Sequence, residues 1–194
     1  MCQATAIVSP LPTQPTGDLI TVVSTSASDG VAGTGVQSLD GHYIDVNGAA
    51  QSLIVTMNGV TPVDIPTIYM RFIQSIHTET VGTNGTTVGT ITIYKTGSPT
   101  IIYNQLNPGG NMSLNSARMV PVGKTFYMKS SKVSAADNTS VSIRLRATST
   151  QEDVLIPSYI FLFKDVDVLQ NAALVKVFDP PLEFPALSVI KLTA

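Results

Sequence analysis

Turn signals recur along this chain too often for helices of ordinary length. Asp40-Gly41, Asn47-Gly48, Asn58-Gly59, Asn84-Gly85, Gly97-Ser98-Pro99, Pro108-Gly109-Gly110 and Pro121-Val122-Gly123 punctuate it in turn. Asn-Gly and Asp-Gly pairs supply the positive φ that tight hairpins need. Between these breaks Val, Ile and Thr recur with period two, and such β-branched residues suit a pleated, half-buried surface. The cleanest alternation runs from Val141 to Thr148. It places Val141, Ile143, Leu145 and Ala147 inward and Ser142, Arg144, Arg146 and Thr148 outward. The pattern predicts an all-β fold, a jelly-roll-like β-sandwich.

The remaining strands are expected from about Leu19, over residues 52–57, 67–79, 88–95, 100–105, 125–133 and 159–168. The Gly-rich stretch 24–35 is a loop, and Leu39-Asp40-Gly41-His42 reads as an Asp-Gly turn between strands. The apolar run at Tyr159 to Val168 suggests a strand buried on both faces. Residues 168–174 fit a short helix, and 113–119 fit a strand or a helical turn. No linker splits the chain. It reads as an N-terminal arm (1–17), one sandwich body (18–178) and a C-terminal arm (179–194). Both arms are Pro-rich, with Pro10, Pro12 and Pro15 at one end and Pro180, Pro181 and Pro185 at the other. Proline favours extended backbone there.

Composition removes whole classes of function. A single cysteine in 194 residues excludes a disulfide framework and a multi-thiolate zinc site. No apolar stretch reaches the roughly 20 residues of a membrane helix, and residues 1–12 lack the basic start of a secretory signal. A soluble chain made in a reducing cytoplasm is expected, with no membrane partner. Only 12% of residues are charged, and the net charge of −2 is too weak for bulk nucleic-acid binding. The charge is nevertheless segregated. Residues 1–70 hold five acids and no Lys or Arg, whereas 118–146 hold six basic residues against Asp137. Either the two segments are solvated faces that neutralise each other within one fold, or Lys124, Lys129, Lys132, Arg144 and Arg146 form a basic face toward an acidic partner.

Catalytic motifs are weak. Gly123-Lys124-Thr125 resembles the end of a P-loop, but position 118 is Arg and a strand follows. His42 and His77 show no triad spacing and read as surface residues, too few for a His-rich metal centre. Glu152-Asp153 and Asp165-x-Asp167 are paired carboxylates; the second pair has strand spacing and suits Ca²⁺ or a solvated face. Three glycosylation sequons, at Asn84, Asn111 and Asn138, are chance matches in a Ser/Thr-rich chain. No enzyme activity, cofactor or metal is expected.

Several segments carry a resemblance. They are Ser24–Asp29, Ala32–Gly35, Leu39-Asp40-Gly41, Ser52–Val63, Gly89–Tyr94 and Val120–Tyr127. In this order the chain resembles small virion structural proteins of tailed bacteriophages, particularly marine phages, over roughly residues 20–165. The last 30 residues match nothing in that pattern. The resemblance implies a non-enzymatic protein of the capsid exterior, a decoration or cement protein. It implies a homotrimer bound to the major capsid protein and made in the host cytoplasm. Pro10, Pro12, Pro15, Pro180, Pro181, Pro185 and Leu192 would be arm contacts to neighbouring capsomers. The alternative is a tail, collar or fibre jelly roll that binds host-surface glycans.

Overall fold

The computed structural model describes residues 16–113, 116–135, 140–148 and 161–193. Among these the regular structure is all β and antiparallel. The chain forms two compact units, residues 1–115 and 116–194, where a single body with a C-terminal arm was expected.

Unit 1 is built from β1 (Asp18–Ser24), β2 (Val36–Asp45), β3 (Ala50–Thr56), β4 (Val63–Val81), β5 (Ile91–Lys95) and β6 (Ser98–Leu106). They form one sheet in the order β3-β2-β4-β1-β5-β6. The 19-residue β4 serves two partners. Its first part pairs with β1 up to Met70, and from Met70 onward it pairs with β2. Side chains from both arms of the sheet then meet in one cluster. Ile20, Val22, Ile91, Ile93 and Leu106 come from one arm, and Val36, Leu39, Val55 and Ile76 from the other. That shared core makes the unit sandwich-like. Ser113 ties β4 to β6: its N–H donates to the Ile76 carbonyl at 2.8 Å, and its hydroxyl accepts from Ile76 N–H at 3.0 Å and Asn104 Nδ2 at 3.2 Å.

One buried carboxylate organises the loops of this unit. Asp29 is fully buried. It accepts from the Ser24 hydroxyl at 2.7 Å and from the N–H groups of Val36, Val88 and Gly89 at 3.0, 3.0 and 2.7 Å. Burial pushes its carboxyl up, but these four donors outweigh burial and leave it below its ordinary value. The glycines around it are steric. A Cβ on Gly35 would lie 2.1 Å from Asp29 Oδ1, and one on Gly33 would lie 2.0 Å from the Ser28 carbonyl oxygen. The small-residue segments 24–29, 32–35 and 88–89 thus converge on one anion.

Unit 2 holds β7 (Ala117–Met119), β8 (Phe126–Ala135), β9 (Val141–Thr148), β10 (Phe161–Leu169), β11 (Ala172–Phe184) and β12 (Val189–Thr193). A four-stranded sheet runs β10-β9-β12-β7, and β11 pairs with β8 as a two-stranded ribbon. Val120, Leu145, Ala147 and Phe184 form a core cluster, flanked by Met128, Leu182 and Ile190.

Several sequence expectations are corrected here. Asp40-Gly41 is not a turn; it lies in the middle of β2, with Gly41 paired to Leu53 and Ile76. Asn58-Gly59 turns the chain but joins strands that do not pair, because β2 lies between β3 and β4. Residues 168–174 form no helix: Asn171, at φ 43°, sits between β10 and β11. The C-terminal arm is instead woven into β11 and β12. Pro180 and Pro181 fit because the β8 register jumps between Val177 and Leu182, so their missing N–H groups cost no ladder bonds. Thr148 points inward, where its hydroxyl accepts from Val189 N–H at 2.9 Å. On β10, Val166 and Val168 are exposed rather than buried on both faces.

Candidate functional site

The expected contact residues are dispersed. Pro10, Pro12 and Pro15 lie outside the described residues. Pro180 and Pro181 are exposed within β11, Pro185 follows its end, and Leu192 sits exposed in β12. The basic face divides in two. Lys124 and Lys132 join Arg118 along a half-open groove in unit 2, which Lys129 does not line. Arg144 and Arg146 occupy the face of β9 opposite Ile143 and Leu145, which do line the groove.

The groove has a volume of about 580 Å³. Its apolar surface comes from Val120, Met128, Ile143, Leu145 and Ile190. Desolvation pulls the Arg118 guanidinium below its ordinary value, though such a group stays charged at neutral pH. Asp165 and Asp167 share a face of β10, as their spacing predicts, and reach the same groove. Lys176 of β11 stands against both, with Nζ 2.5 Å from Asp165 Oδ1 and 3.3 Å from Asp167 Oδ1. The Asp165 carboxylate, then Asp167, raise this ammonium above its ordinary value. A cation of the chain's own thus stands against the carboxylate pair.

The opposite face of the sheet mixes cations with exposed apolar groups. In register, Arg144 stands beside Val166, and Ser142 beside Val168. Arg146 stands beside Lys191 of β12. Val166 and Val168 are 48% and 67% exposed. On the ribbon, Val175 and Val177 are exposed by 62% and 73%. Exposed valines leave apolar area in water, and that cost falls when an apolar surface covers the face. Sequence reasoning found Arg144 and Arg146 through their alternation. It missed the valines because the apolar run was read as interior.

Charge separates by unit. Residues 1–115 hold two basic residues against six acids, and residues 116–194 hold nine against seven. His42 and His77, set aside singly in the sequence, come together with Asp40 on unit 1.

The fold and these surfaces define the chain as an all-β protein with a basic, partly apolar sheet face. Compared with protein-family models, curated proteins and solved structures, the chain matches none.

Proposed function

We propose that the chain is a non-enzymatic structural protein of a phage virion that binds the capsid exterior as a decoration or cement protein. Its partners are the major capsid protein and further copies of itself in a homotrimer. The observation that carries this reading is the β9–β10 face, where Arg144 stands beside exposed Val166, with exposed Val168 two residues further along β10. Arg with apolar neighbours is the composition of a protein interface. Repetition over a symmetric shell multiplies modest contacts through avidity. The resemblance to phage head proteins supplies the partner, and an acidic, apolar patch on the shell is what this face would meet.

The test is cosedimentation with undecorated heads. The full chain is expected to saturate the heads at a simple ratio to capsid subunits and to dissociate as salt rises. The double variant Val166→Asp/Val168→Asp is expected to bind at least about tenfold more weakly while keeping its circular dichroism spectrum. Equal binding by this variant would overturn the assigned face. Reproducible glycan-array hits without head binding would replace the reading with the tail or fibre one.

A further inference from the structure

We propose that Asp40, His42 and His77 form a binding site for a divalent transition-metal ion, zinc being the best match to the donor set. The strand register builds the cluster. Asp40 and His42 stand two apart on β2 and so project from the same face, and Asp40 lies directly opposite His77 of β4. Both imidazoles turn Nε2 toward one carboxylate oxygen. Asp40 Oδ2 lies 3.3 Å from His42 Nε2 and 4.0 Å from His77 Nε2. The rings meet edge to face with centroids 4.9 Å apart. All three donor atoms lie within 4.8 Å of one another.

These separations suit one small ion. Zinc bonds to imidazole nitrogen and carboxylate oxygen at about 2.0–2.1 Å, which sets tetrahedral donor–donor edges near 3.4 Å. One edge has that length already. The other two, within 4.8 Å, close by side-chain rotation, since His42 and His77 are partly exposed and Asp40 is only half-buried. Two nitrogens and one oxygen favour zinc and its first-row neighbours over Ca²⁺ or Mg²⁺, which take oxygen ligands. Three protein ligands leave a fourth position for water. The residues flanking His42 in register are Ser52 and Ser75, which are small and do not crowd that side.

The ion would staple β2 to the second part of β4. These segments lie on one arm of the unit 1 sheet, so occupancy stabilises the fold. The site is independent of the unit 2 face and stands whether or not the chain binds a capsid.

Isothermal titration of the full chain with Zn²⁺ tests the site, with Cys2→Ser as a control for thiol binding. One equivalent is expected to bind, to raise the thermal midpoint and to survive Cys2→Ser. Co²⁺ is expected to give visible absorption from a nitrogen-and-oxygen site. His77→Ala and Asp40→Asn are each expected to weaken Zn²⁺ more than the roughly 10–100-fold that an outer-shell partner is worth. Their metal-free melting should stay close to that of the parent. Absence of binding by the parent chain overturns the proposal, as does binding that persists in His42→Ala/His77→Ala or disappears in Cys2→Ser.

Discussion

The two units use the same antiparallel strands and both expose large apolar residues, but among the described residues they differ in the size of the buried cluster and in charge. In unit 1, fifteen buried residues from both arms of one sheet converge on a single cluster. Even its loops are fixed, by the four donors around Asp29. In unit 2, valines on β10 and β11 face water beside cations. The electrostatics follow the same division, acidic in unit 1 and basic in unit 2. The difference separates the part with the larger buried cluster from the basic face that the proposed function assigns to a partner. Substitutions in unit 1 should cost stability, and substitutions on the outer face of unit 2 should cost binding.

The largest stability effect is expected at the unit 1 core. Ile93 is fully buried, and Ile93→Ala should cost about 3–4 kcal/mol, the upper half of the usual range for such a cavity. Chemical denaturation checks this, and a loss below about 1 kcal/mol would break the contrast between units. Next comes Asp29→Asn, expected to cost about 2–3 kcal/mol by removing a charged acceptor from buried donors. The same residue gives a pH signature. Its folded pKa lies below the ordinary 3.8, so its contribution is complete above that value. The contribution is lost as pH falls through the lower folded value. Acid titration of stability should therefore be steeper for the parent than for Asp29→Asn as pH falls below the ordinary carboxylate value.

Gly35→Ala sharpens the point. Its Cβ would fall 2.1 Å from the Asp29 carboxylate, so this single methyl should cost about 1–3 kcal/mol by overpacking. Gly123→Ala, in the open turn before β8, meets nothing within 4 Å and should cost less, through its φ of 68° alone. Thermal melts of the two variants compare them directly. The smallest stability effect is expected for Arg144→Glu on the outer face, within about 0.5 kcal/mol. That variant should still weaken head binding and flatten its salt dependence.

Period-two alternation and turn chemistry made the all-β class legible in the sequence. Gly48, Gly85, Gly97, Gly109 and Gly123 all adopt positive φ at breaks that the sequence marks. Asp40-Gly41 shows the limit of such signals. Gly permits positive φ but does not require it, and here apolar Leu39, Tyr43 and Ile44 on β2 keep the strand running. Reading that pair as a turn also hid the Asp40–His42 spacing on which the proposed metal site rests. The prolines at 180 and 181 misled for a related reason. Proline breaks a ladder only where an N–H is needed, and the β8–β11 register jump removes that need. Pairing between distant segments, such as Asp40 opposite His77, lies beyond local pattern altogether.

Assembly at the outside of a shell is the central proposal, and copy number per virion tests it most directly. Quantitative mass spectrometry of purified particles would measure the chain against the major capsid protein. Shell decoration predicts a ratio near one, or a simple fraction of it. A handful of copies per particle would contradict it and place the chain at the tail or portal.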